Sequence, residues 1–164
     1  MPGSLALLLL EKSIERFERA RSSKEAKYTV TQVAKIRGRG KGMGTEAGRE
    51  LHSKLWGDPE LIARERLVST PLPLAWRFRF GWLYGVADQV LFREGVPVRV
   101  AEVKSYTSYR GYERAQASLY GLLVELNWGV RPRVELRGAR IVEVKGWEEI
   151  ALESLELFLK KIHY

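Results

Sequence analysis

Apolar positions recur at helical spacing in four stretches of the chain. Over residues 5–21, behind Ser4 as N-cap, Leu7, Leu10, Ile14 and Phe17 fall on one stripe, with Glu15, Arg16, Glu18 and Arg19 facing away. The segment Thr45 to Trp56 carries an apolar edge of Leu51 and Leu55, with Gly48 and His52 one turn apart. Residues 112–126 present Ala115, Leu119, Leu122, Leu123 and Leu126 as a packing face, and Gln116 and Tyr120 project together beside it. The last helix, Trp147 to Ile162, begins with Glu148 and Glu149 and ends with Lys160 and Lys161, in the sense its macrodipole favours. Its Trp147, Ile150, Ala151, Leu155, Phe158, Leu159 and Ile162 are expected to cover a sheet.

Between these helices the pattern changes to strands. GVADQVLFREGVPVRVAEVK, Gly85 to Lys104, reads as two strands joined at Arg93-Glu94-Gly95, with Val98, Val100, Glu102 and Lys104 on one face. A strand is expected near Leu67–Ser69, after a turn at Gly57-Asp58-Pro59 and before a break at Pro71 and Pro73. Trp76, Phe78, Phe80 and Trp82 then alternate with Arg77, Arg79 and Gly81, giving an aromatic face for the core and a basic face opposite. Val134–Leu136 and Ile141–Val144 turn at Arg137-Gly138. Residues 35–44, KIRGRGKGMG, have glycine at alternate positions and support neither helix nor strand, so a basic loop is expected there. The order is that of one α/β domain over residues 1–164, with a mixed sheet between helices and its centre at about 45–145.

Composition sharpens this picture. Twenty-eight basic residues against 20 acidic give a net charge of +8, which favours a polyanionic partner. No cysteine is present, so disulfides, thiol nucleophiles and iron–sulfur clusters are excluded. One Asn, three Gln and two Met lean towards a thermophilic source. The run Leu5–Leu10 lacks a preceding positive charge and a cleavage site, and no stretch approaches the ~20 apolar residues of a membrane span. A soluble, cytoplasmic protein is expected.

The candidate chemistry lies in the central hairpin. Glu102 and Lys104 share a strand face, and pairing brings Asp88 close to Glu102. An exposed trio of this kind is an ordinary salt bridge of a fraction of a kcal/mol, roughly 0.2–1. Near a buried sheet, clustered carboxylates instead suit a hard cation such as Mg²⁺ at about 2.1 Å. Lys35, Arg37, Arg39 and Lys41 in the basic loop, with Tyr109 and Arg110 in the hydroxyl-rich segment after the hairpin, are candidate nucleic-acid contacts.

Gly85-x-x-Asp88, then Glu102-Val103-Lys104, then Gln116-x-x-x-Tyr120, preceded by Gly48-x-x-x-His52, resembles the RecB-like branch of the PD-(D/E)XK nuclease superfamily over about residues 28–145. Ala87 stands where the superfamily's name has proline. The resemblance implies a restriction-endonuclease-like αβββαβ core and metal-dependent hydrolysis of DNA. It implies that His52, Asp88, Glu102 and the Val103 carbonyl hold Mg²⁺ or Mn²⁺, that Lys104 acts electrostatically on water and phosphorane, and that Gln116 and Tyr120 position water or the scissile strand. The iron–sulfur ligands of cysteine-bearing relatives are missing. A single-strand or end-dependent exonuclease is the first expectation; a Holliday-junction-resolvase-like endonuclease and a non-catalytic nucleic-acid-binding protein are the alternatives. With no separate substrate domain in its length, the chain has room for a homo-oligomer or protein partners.

Overall fold

A computed structural model describes residues 3–38, 58–104 and 111–163. The expected helix at 45–56, with Gly48, Leu51, His52 and Leu55, lies outside these, as do Arg39, Lys41, Tyr109 and Arg110. The described elements are α1 (Gly3–Ser22), β1 (Lys27–Thr29), α2 (Val30–Ala34) followed by a 3₁₀ turn (Lys35–Arg37), α3 (Pro59–Arg64), β2 (Leu67–Phe78), β3 (Gly81–Arg93), β4 (Val96–Val103), α4 (Gly111–Trp128), β5 (Arg133–Arg137), β6 (Ile141–Glu143) and α5 (Trp147–Ile162). From α3 to β5 the order is αβββαβ, and the six strands form one mixed sheet flanked by helices. None of the described helices is long and apolar enough to cross a membrane.

The hairpin β3–β4 turns at Glu94 and Gly95, both with positive φ (51° and 78°). This is the geometry a two-residue loop needs to match the strands' twist. A Cβ on Gly95 would lie 2.6 Å from that of Ala6, so the turn is packed beneath α1. Strand β2 is longer than expected, because Pro71 and Pro73 do not break it. Among the described strands it pairs with β3 alone, from Leu67–Arg93 to Phe78–Gly81. One edge of β2 therefore carries no described strand, and that is where a residue without an N–H can sit. The carbonyls of Pro73 and Ala75 point out at that edge and accept from Ser13 Oγ (3.4 Å) on α1 and Asn127 Nδ2 (3.1 Å) on α4. An edge that could have recruited another strand is thus closed by two helices.

Arg79 and Phe80 form the β2–β3 turn, so the alternation from Trp76 to Trp82 is not one strand. Phe78 and Phe80 stack on each other across this turn (centroids 5.0 Å). Two irregularities shift the expected faces. Thr70 pairs with Val90 but Leu72 with Ala87, so β3 carries one extra residue around Asp88 and Gln89. Leu91 pairs with Arg99 but Phe92 with Pro97, so β4 carries its extra residue at Val98. Pro97 is turned inward, and Val98 leaves the face it was expected to share with Val100 and Glu102.

Three further expectations are corrected. The first helix begins at Gly3, so Ser4 is inside it rather than its cap. Its buried stripe is Ala6, Leu10, Ser13, Phe17 and Ala20, with Leu7 and Ile14 at the margin. Helix α4 is buried on almost every side, Gln116 and Tyr120 included, because it lies between the sheet and α5. Ile162, expected on the core side of α5, is exposed. Short elements were missed as well. Thr29 and Gln32 make a capping box that starts α2, and Asp58 caps α3 through the Leu61 N–H at 3.1 Å.

Asn127 is the joint between α1, α4 and the β2 edge. It donates to Ala75 O (3.1 Å) and Leu123 O (2.8 Å) and accepts from Arg16 (2.8 Å). Asn127→Ala leaves a buried carbonyl without its donor, which costs about 1–3 kcal/mol. Urea unfolding of the variant should show a lower midpoint at unchanged slope; an unchanged midpoint would mean the joint carries no stability.

Candidate active site

A strand has two edges, and β2 occupies one edge of β3 along its whole length. The other edge is shared. β1 pairs in parallel with Trp82–Tyr84, and β4 pairs with Gln89–Arg93. Between them no described strand pairs with Gly85 to Asp88, which face a split in the described sheet. The Trp82 N–H donates to Ala26 O (2.8 Å), just before β1, and backbone groups alternate along a strand, so the N–H groups of Val86 and Asp88 point into the split. Side chains receive them there. Glu102 Oε1 accepts from Asp88 N (3.1 Å), and the Tyr120 hydroxyl is hydrogen-bonded to the Val86 backbone.

The carboxylates are interlocked across the two strands. Asp88 Oδ2 in turn accepts from the Val103 N–H at 2.9 Å. Glu102 is 1% exposed and stands on the α4 side of the sheet with Val100 and Leu136, whereas Asp88 is only part-buried at the bulge. Burial first, and the Asp88 charge second, push the Glu102 carboxyl well above its ordinary range; Lys104 opposes this. Glu102 therefore favours a proton, or a cation in the proton's place, over a bare negative charge beside Asp88.

Helix α4 supplies the opposite wall. Lys104 Nζ donates to Gln116 Oε1 at 2.6 Å and lies 5.6 Å from the centre of the Tyr112 ring. Gln116 and Tyr120, one turn apart, thus reach the end of β4 and the middle of β3 respectively. Burial pushes the Tyr120 phenol well above its ordinary range, and the charges of Glu102 and Asp88 add to this, so the hydroxyl keeps its proton. A Cβ at position 85 would lie 2.6 Å from the Tyr120 oxygen. Gly85 is required because the hydroxyl occupies the space a side chain would take.

Five of the expected site residues, Asp88, Glu102, Lys104, Gln116 and Tyr120, meet at this split. Val103, half exposed, adjoins them. His52 lies outside the described residues, and among those described no group of three or more His, Asp or Glu converges on one point. Asp88 and Glu102 give two carboxylates suited to a hard cation. Of the expected nucleic-acid contacts, Lys35 is exposed, but Arg37 is directed elsewhere. Its guanidinium donates to Ser154 Oγ (3.1 Å) and Glu153 (3.2 Å) on α5, because the 3₁₀ turn packs between α4 and α5. Two residues were missed. Tyr112 backs Lys104 and bonds to Thr31, and Glu113, 1% exposed, starts α4 beside it. No spacing rule marks either one.

No family model and no curated protein matches the chain. Among solved structures, the crystal structure of SSO0001 is similar at 18% identity and a TM-score of 0.40, over 93% of this chain and 84% of that one. A likeness at that level decides nothing about the site, which rests on its own geometry.

Two outcomes follow. With its folded value raised above 4.5, Glu102 holds a proton in the native state that the unfolded chain has already released. Metal-free stability should therefore fall as pH rises from about 4.5 through the folded value, and Glu102→Gln should remove that fall. Thermal midpoints of both proteins across pH check it; parallel curves would contradict a buried, titrating Glu102. Separately, Gly85→Ala should destabilise by about 1–3 kcal/mol through overpacking, and adding Tyr120→Phe should recover part of that loss. Purely additive losses would mean the two residues do not compete for space.

Proposed function

We propose that the protein is a divalent-metal-dependent deoxyribonuclease acting on single strands or on ends. The observation that carries this reading is the convergence, at one split in the sheet, of two interlocked carboxylates, a lysine and two helix-borne polar groups in the order of the RecB-like motifs. Asp88, Glu102, the Val103 carbonyl and His52 are the groups that would hold Mg²⁺ or Mn²⁺, which would supply Lewis-acid polarisation of the phosphodiester and a bound water of lowered pKa. Lys104, held by Gln116, places a positive charge where the phosphorane develops negative charge. Tyr120 keeps its proton and offers it as a hydrogen bond, while its other contact holds β3 at the split. The burial of Glu102 supports the metal role, since a fully buried carboxylate beside a second one is costly without a cation.

End-dependent and internal cleavage are separated by substrate. End-labelled single-stranded DNA and closed circular DNA should be incubated with Mg²⁺, Mn²⁺ or EDTA. Metal-dependent loss of the linear strand alone is expected, and cutting of the circle would indicate an endonuclease. Asp88→Ala and Lys104→Ala should each lower the rate at least about 10²–10³-fold with the fold intact. Metal-dependent cleavage surviving both substitutions would sink the mechanism.

A further inference from the structure

The basic and aromatic residues at the far end of β3 form a feature the cleavage centre does not use. Helix α1 crosses the β2–β3 hairpin there, and its arginines lie over indole rings: the Arg16 guanidinium is 4.9 Å from the centre of Trp76, and that of Arg19 is 5.8 Å from the centre of Trp82. A surface trough of about 340 Å³ runs beside Arg19, Arg77 and Trp82. It continues, over the same three residues, into one of about 250 Å³ bounded also by Arg16 and Trp76.

The charges in the trough are incompletely balanced. Arg77 is held by Glu25 through two bonds of 2.8 Å. Arg16 donates to the neutral amide of Asn127, and Arg19 makes no ion pair among the described residues. Among the described residues, three guanidinium groups thus share one carboxylate, Glu25, which also feels the charge of Arg19. A guanidinium in cation–π contact with an indole still has N–H donors for an anion and a planar face for a second planar group. A ligand that is planar, aromatic and regularly anionic matches both, and single-stranded nucleic acid has that chemistry.

We infer that Arg16, Arg19 and Arg77, backed by Trp76 and Trp82, form a binding track for single-stranded nucleic acid, remote from the metal centre. Trp82 and Asp88 lie six residues apart on β3, which is about 20 Å at ~3.3 Å per residue. A strand occupying both places spans about six stacked nucleotides at ~3.4 Å each. The track therefore anchors long substrates and leaves the smallest ones untouched. Its role as a substrate anchor rests on the nuclease reading; its capacity to bind does not.

The experiment measures binding and turnover separately. Anisotropy of a labelled single strand of about 20 nucleotides, in EDTA, is compared between wild type, Arg19→Glu and Arg77→Glu, each checked by circular dichroism. Both substitutions are on exposed side chains. Each should weaken binding about tenfold and reduce the salt slope by about one. Turnover of bis(p-nitrophenyl) phosphate with Mn²⁺ should be unchanged in both and lost in Glu102→Gln. Unaltered oligonucleotide affinity in both arginine variants overturns the track. Equal weakening towards inorganic polyphosphate overturns the nucleic-acid assignment, because it would show charge alone. If no protein turns over the small diester, the nuclease reading fails while the binding result still decides the track.

Discussion

The constraint on which the site depends is the backbone accounting along one edge of β3. A strand in the middle of a sheet must satisfy N–H groups on both sides. On one side β2 does so without interruption. On the other, β1 and β4 each cover part of the length and leave Val86 and Asp88 facing a split. A buried donor without a partner costs about 1–3 kcal/mol, so the split can persist only if side chains fill it. Glu102 and Tyr120 do so. In the proposed reading the same two groups that repair the sheet also serve the chemistry, so that structure and reactivity would not be altered independently here.

That dependence explains why apparently remote features are shaped as they are. Tyr120 must reach Val86 from α4, so α4 lies close against β3 and position 85 cannot carry a side chain. The other wall of α4 packs as tightly: a Cβ on Gly121 would lie 2.7 Å from Val134 and 3.1 Å from Trp147. The helix is thereby fixed between β5 and α5, with little freedom for Gln116 to drift from Lys104. Rigid support of this sort is what places reacting groups within a few tenths of an ångström of a working geometry.

Much of this was legible in the sequence. The central hairpin, its turn, the last helix and the approach of Asp88 to Glu102 and Lys104 follow from period-two and period-3.6 patterns, whereas the meeting of Gln116 and Tyr120 with them was implied only by the resemblance to the RecB-like motifs. What was not legible depended on which strand edges are free. Pro71 and Pro73 read as a break because the sequence does not say that β2 is an edge strand. The bulges at Asp88–Gln89 and at Val98 are choices of the paired sheet, and no residue type announces them. Arg37 read as a phosphate contact because a charge run looks the same whether it faces solvent or a neighbouring helix. In contrast, the Thr29–Gln32 capping box was readable and marks α2 in the sequence itself.

The bulge at Asp88 resolves an apparent contradiction in the site. A buried carboxylate and a carboxylate open to solvent are opposite demands, and two residues facing each other across a regular ladder would share one environment. The extra residue in β3 breaks that symmetry. Glu102 stays on the α4 side with Val100 and Leu136, while Asp88 is carried towards the surface with the exposed Val103 beside it. One carboxylate is thus raised in proton affinity by its surroundings, and the other remains open to water. In the proposed reaction Glu102 and Asp88 would hold the cation together, one carboxylate anchored in the core and the other nearer the surface. Inserting or deleting a single strand residue would undo this without changing either carboxylate.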